Sequence, residues 1–427
     1  MRTRPSTRTP QPPRGRTRTA SWRLALSAVL LAALGACAGP RAQARGDAAG
    51  AGGAESVTYD FEALVIRVNT SDEGDYETVV TDVPQLFDEA NDYLRADDFE
   101  NALRLYGLVL DATDDAGYVR VTHYNQGLAY EGLLDYEAAA EEYARVMEVW
   151  PASEDATFAH FRLAECYAMT GRYEQVPALM ERVLPRQGLA HVDILEAHLR
   201  WGYALLEMRD FVGADEQLQG VIQRNERALL AWNPEEIDWT NRPLDRNDPI
   251  LAQAFFGRGR VYHELFREIR LVLPEERLTE DLIDKTQLFE QSQDAYLAAV
   301  RSGNRYWAPA AGFMVGQLFE DFYFDVLATE VPPEFNELEL EVYFEELRAF
   351  VQPAMERAMS VYENNLAMAY RLGASGVWVD DTLASIERVH VYLQDRTDWE
   401  SEHRLIIEHR HPRSASYADH MQFRSEQ

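Results

Sequence analysis

The sequence predicts an all-α chain built from stacked helix–turn–helix units, an α-solenoid. Three observations carry this. Four stretches align without gaps: ANDYLRADDFENALRLYGLV (90–109), GLAYEGLLDYEAAAEEYARV (127–146), AECYAMTGRYEQVPALMERV (164–183) and GYALLEMRDFVGADEQLQGV (202–221). Each places a small residue at its head (Ala90, Gly127, Ala164, Gly202), an aromatic nine residues on (Phe99, Tyr136, Tyr173, Phe211) and a bulky residue sixteen on (Tyr106, Tyr143, Met180, Leu218). Asp98, Asp135 and Asp210 fall just before the second half of three of the units, where a carboxylate can cap a helix.

The N-terminal segment differs in kind. Residues 1–36 hold seven arginines and no acid, and the apolar run LALSAVLLAALGA (24–36) follows Arg14, Arg16, Arg18 and Arg23. That order is a bacterial export signal, and the run is too short for a bilayer span of roughly 20 residues. No twin-arginine pair is present, which points to the general export route. Leu34-Gly35-Ala36-Cys37 resembles the lipobox of bacterial lipoproteins. The resemblance implies cleavage before Cys37 and acylation of its sulfur. Ala38, not being Asp, implies sorting to the outer membrane, with the body facing the periplasm. Acyl chains contribute about 0.8 kcal/mol per buried CH2, so two or three of them anchor stably. The Gly- and Ala-rich stretch 38–56 should act as a flexible tether with a reach of about 25 Å.

Residues 57–82 contain two alternating stretches, VTYDFEALVIRV (57–68) and YETVVTDV (76–83), around TSDEGD. A small hairpin and an extended segment are both open. The repeats then occupy 83–228. Their residues are similar to those of the tetratricopeptide repeat (TPR), and the second copy reaches that family's closing proline at Pro151. The resemblance implies a right-handed superhelix of antiparallel helix pairs whose first helices line a concave surface. The heads lie 37, 37 and 38 residues apart, so the extra residues fall between units.

From 229 to 340 the pattern loosens into elaborated units. ILAQAFFGRGRVYHEL (250–265) is a further first helix with Gly259 as head, and QLFEQSQDAYLAAVRSG (287–303) is its displaced partner. APAAGFMVGQLFEDFYFDV (308–326) repeats the theme with Gly316. Over 341–395, PAMERAMSVYENNLAMAYRLG (353–373) starts on Pro and ends on Gly, and a last helix opens at Asp380; these predict capping helices before a polar tail, 396–427.

Composition excludes some functions. The chain has 46% hydrophobic and 11% aromatic residues, enough for a large core. From Cys37 onward it carries 34 basic against 72 acidic side chains, a surface that repels nucleic acid. Two cysteines, Cys37 and Cys166, leave no disulfide framework, and Lys285, the only lysine, fits arginine-biased codon usage. No phosphate loop, nucleophile elbow or H-E-x-x-H string is present. Cys166, inside a first helix with no base nearby, suits a structural thiol. His403, His409, His411 and His420 gather in the tail without metal-ligand spacing. Neither a catalytic residue, a metal nor a cofactor is expected.

Function should lie on the first helices. Their fifth positions, which often point into the groove of TPR proteins, are Tyr124, Phe161, Leu199 and Phe256. Exposed, they form an aromatic stripe for a peptide segment; the alternative is that they pack between repeats. Clamping of a C-terminal carboxylate by groove lysines is disfavoured, because the four repeats contain none. The insertion LLAWNPEEIDWTNRPLDRNDPI (229–250) offers Trp232 and Trp239, either to a partner or as staples for the loop. The chain thus resembles envelope TPR lipoproteins, including those of outer-membrane assembly and of gliding motility. The resemblance implies a lipid-anchored periplasmic scaffold binding envelope proteins. A metal-binding or enzymatic accessory and a peptidoglycan-associated factor are the alternatives.

Overall fold

The computed structural model describes residues 64–70, 76–233, 235, 238–331 and 334–394. Two strands, β1 (Leu64–Thr70) and β2 (Tyr76–Asp82), pair antiparallel with Leu64 opposite Asp82 and Thr70 opposite Tyr76. Of the two readings of 57–82, the described residues form the hairpin. The described α-helices after it are α1 (Val83–Arg95), α2 (Phe99–Ala112), α3 (Ala116–Gly132), α4 (Tyr136–Val149), α5 (Glu154–Met169), α6 (Val176–Val183), α7 (His191–Glu207), α8 (Phe211–Ala231), α9 (Pro249–Glu268), α10 (Glu275–Ser302), α11 (Trp307–Leu327), α12 (Glu337–Leu372) and α13 (Val377–Gln394). Odd-numbered helices through α11 are first helices, and each is followed by its second helix.

The turn inside each of the first four hairpins uses one device. Seven residues after the head, Asp97, Leu134, Gly171 and Arg209 all adopt a left-handed backbone, with φ of 58°, 61°, 73° and 62°. The next residue caps the second helix. Asp98, Asp135 and Asp210 accept from the backbone N–H of Asn101, Ala138 and Gly213 at 3.3, 3.1 and 3.0 Å. In the third hairpin Arg172 stands in that place and makes no cap. There the second helix starts with a 3-10 turn, Tyr173–Gln175, and α6 shrinks to eight residues. A missing N-cap leaves orphan N–H groups that a tighter turn partly satisfies.

The heads sit beneath the bulky residue of the second helix. A Cβ on Gly127 would lie 2.6 Å from the Tyr143 ring, and one on Gly202 would lie 2.8 Å from Leu218. The same contact recurs in the elaborated units, where Gly259 lies under Tyr296 and Gly316 under Tyr362. The intervening insertions do not disturb it, because they become extra turns at the start of α10 and α12.

The start of α12 differs from the sequence expectation. Pro353 lies inside a 36-residue helix that begins after Asn336, not at its start. Asn336 accepts from the N–H groups of Leu338 and Glu339, and Glu339 accepts in return from Asn336 N–H. This reciprocal cap outweighs the proline as a start signal. Proline leaves the carbonyl four residues earlier, at Ala349, without a helical donor, and both residues are exposed, which keeps the cost of the lost bond low. The segment 353–373 therefore belongs to the second helix of the sixth hairpin and not to a separate cap.

The chain divides into two units, Met1–Asp92 with Arg104–Thr122, and Tyr93–Leu103 with His123–Gln427. In the first, Phe87 packs its ring on Tyr106 and Tyr118, and Tyr106 donates to the buried Asn91 at 2.6 Å. In the second, apolar clusters run from hairpin to hairpin along the stack. No described helix is long and apolar enough to cross a membrane.

Candidate functional site

Three residues of the expected aromatic stripe are not on a surface. Phe161, Leu199 and Phe256 are 6%, 5% and 0% exposed, which removes them as partner contacts. The reason is helical geometry: each stands three residues before its head, hence on the head's own side of the helix. The head faces the second helix, so its neighbour is drawn inward too. Phe256 is enclosed by the rings of Tyr296, Trp307 and Trp378. Tyr124 alone of the four is half-buried, with its ring 5.5 Å from that of Tyr143. Burial raises the pKa of its phenol, and the adjacent Arg162 only partly offsets this.

What the first helices present instead is a ladder of ion pairs. Arg162 of α5 reaches Glu131 of α3 at 2.9 Å. Arg200 of α7 is held between Glu165 of α5 and Glu196 of its own helix, the latter at 2.7 Å. Arg260 of α9 reaches Glu207 of α7 at 3.1 Å. Arg209, in the turn after α7, pairs with Glu264 and Glu268 of α9. Each rung joins one hairpin to the next, so the face that a ligand would meet is polar and of alternating sign. Accessibility varies along it. The Arg162 and Arg209 side chains are 44% and 57% exposed, those of Arg200 and Arg260 only 17% and 4%, so the accessible rungs are Arg162–Glu131 and Arg209–Glu268.

The two ends of a rung carry different costs. Glu131 has its carboxyl pKa raised by burial, and Arg162 only partly restores the charge. Part of the Arg162 side chain stays exposed beside it, which leaves this rung within reach of a ligand. Nothing in the sequence pattern of one repeat shows this ladder. A usable signal exists, however: Arg162 and Arg200 both stand two residues before a head, with a glutamate on the preceding first helix.

Cys166 is buried, and burial, with Glu131 and Glu165 nearby, pushes its thiol well above the ordinary range. Such a thiol is a poor nucleophile. The loop after α8 is fastened by Asn225, whose side chain donates to Leu244 O and accepts from Leu244 N–H at 3.2 and 2.7 Å. Trp232, half-buried, ends α8, and Trp239 opens a 3-10 turn. Among the described residues no group of three metal-ligating side chains gathers. Cys37, the export signal, the tether and the four tail histidines lie outside the described residues.

No protein-family profile matches the sequence, and no curated protein matches it. Similar solved structures do exist. The C-terminal part of a TPR repeat-containing protein from Cytophaga hutchinsonii aligns over 75% of this chain and 99% of its own, at 10% identity and a TM-score of 0.39. A tetratricopeptide repeat protein from Parabacteroides merdae aligns over 72% and 98%, at 11% identity and 0.35. A TPR repeats protein from Bacteroides fragilis aligns over 73% and 99%, at 15% identity and 0.25.

Proposed function

We propose that the chain is a lipid-anchored scaffold of the bacterial cell envelope, non-catalytic, that holds protein partners on the first-helix face of its hairpins. The observation that carries the binding half is the accessible part of the ladder: Glu131–Arg162 between the second and third hairpins and Arg209–Glu268 between the fourth and fifth. Alternating carboxylates and guanidiniums at regular intervals suit an extended or helical polypeptide with complementary charges. Support for the anchored half is the order of arginines, apolar run and Leu34-Gly35-Ala36-Cys37, followed by a soft linker. The outer membrane, a periplasmic orientation, and a place in outer-membrane assembly or gliding motility are the finer parts of the same proposal.

Two measurements test it. Labelled palmitate should enter the wild-type chain and not Cys37→Ser, which should leave the membrane fraction; equal membrane content of the two refutes the anchor. A photo-reactive residue at position 162 should crosslink to an envelope protein in intact cells, and the yield should fall with Arg209→Ala. Crosslinks that ignore Arg209, or a defined product made by the purified chain from a metabolite, refute the scaffold.

A further inference from the structure

The start of α12 is longer than its hairpin requires. At 1.5 Å per residue a 36-residue helix is about 54 Å long, against about 32 Å for the 21 residues of α11 that it packs on. The surplus is not a frayed end. It is locked by the reciprocal Asn336–Glu339 cap, and Tyr343 packs its ring against Phe335 and Phe344. Yet the other side of this surplus faces solvent with apolar residues. Leu338 and Val342, 69% and 48% exposed, stand one turn apart on one face, and Phe350, 64% exposed, follows two turns on and further round the helix, with Glu346 between.

The charges around the stripe decide what can cover it. Glu334, Glu339, Glu341, Glu345 and Glu346 surround it, with Arg348 the only basic residue in that stretch. Among the described residues none of Glu334, Glu341, Glu345 and Glu346 pairs with a basic side chain. A second copy would bring the same glutamates against these. An anionic membrane surface would be repelled in the same way. A segment that places arginines or lysines beside apolar anchors satisfies both halves of the surface.

We infer that the N-terminal end of α12 is a docking surface for a basic amphipathic segment of a partner protein. It is separate from the first-helix face, and either can hold or fail without the other. The probe is a fluorescein-labelled peptide of about 18 residues, with leucines at helical intervals of three and four and arginines between them. It is titrated into the full chain carrying Cys37→Ser, so that no acyl chain interferes. Binding should weaken with added salt. It should fall about tenfold or more in Leu338→Ser/Val342→Ser/Phe350→Ser and in Glu341→Gln/Glu345→Gln/Glu346→Gln. The same neutralisation of Glu137, Glu141 and Glu148, exposed on α4, should leave it unchanged. All these sites are exposed, and unaltered thermal melting verifies that each variant is folded. Equal loss in the α4 set means diffuse charge attraction and overturns the inference. So does binding indifferent to the three apolar substitutions. Flotation of the chain with phosphatidylglycerol vesicles, or a dimer abolished by the apolar set, would assign the stripe to a membrane or a second copy and overturn it equally.

Discussion

Lys285 shows how far a residue's meaning depends on where it is buried. It is the chain's only lysine and is fully buried. Its ammonium donates to the carbonyls of Phe266 and Ile269 at the end of α9, at 2.6 and 3.1 Å, and lies 2.7 Å from Asp325 of α11. One side chain from α10 thus closes the last carbonyls of α9 and balances a charge on α11. Burial lowers its pKa, and Asp325 holds it up in part. Lys285→Met should therefore cost about 3–5 kcal/mol, because it removes the buried ammonium that pairs with Asp325 and closes the Phe266 and Ile269 carbonyls. Adding Asp325→Leu should recover part of that loss, and a denaturant titration of both variants measures it. A Lys285→Met protein as stable as the wild type would show that the pair does nothing for the fold.

At the scale of one hairpin, the turn and the head do most of the work. Leu134 and Arg209 hold a left-handed backbone that glycine occupies freely, as Gly171 does in the third unit. Leu134 is 57% exposed, so little packing is lost on removing its side chain. Leu134→Gly should leave stability level or raise it by up to about 1 kcal/mol, strain relief exceeding the added unfolded-state freedom. Gly171→Ala should lower it by about 1 kcal/mol. The shift of the urea midpoint reads both, and the reverse order would mean that the turn is not strained. The asymmetry of the third hairpin follows the same logic, since Arg172 in place of Asp is visible in the sequence as the loss of a cap. The long start of α12 was not legible, because Pro353 is a stronger local signal than Asn336 until the two flanking residues are known to be exposed.

Across the molecule, buried histidines spread acid sensitivity along the stack. His160 on α5, His198 on α7 and His263 on α9 all have pKa values lowered first by burial. His263, pushed down to about 4, faces Asp321, Arg267, Glu264 and Tyr296. A base with a depressed folded pKa contributes stability that is complete above its unfolded value near 6.5 and is lost as pH falls toward the folded one. For His263 that loss reaches about 3 kcal/mol. Glu131, raised by burial, acts in the opposite sense at lower pH and offsets part of it. Asp321, held low by Arg267 and His263 against the effect of burial, loses its contribution only in stronger acid. Melting temperature should drop between about pH 7 and about pH 5, and less so in His263→Gln. A flat profile would place these histidines in contact with water. In a repeat array each interface is a nearest-neighbour term, so the acid transition should also be broad.

The sequence by itself determined the hairpins: the heads, the turn at head plus seven, the aspartate caps and the bulky residue sixteen on. These depend on neighbours within one or two helical turns, which are adjacent in the chain as well as in space. Even Gly259 and Gly316 could be recognised before their partners Tyr296 and Tyr362, because the head is local and only the second helix is displaced. Only the tertiary structure decided that Phe161, Leu199 and Phe256 turn inward, that arginines and glutamates form the accessible face, and that the single lysine is a buried tie. Which side of a helix stays open depends on how the next hairpin leans against it, and that is set by residues 31 or more positions away. A repeat pattern specifies the unit; the packing between units specifies its surface.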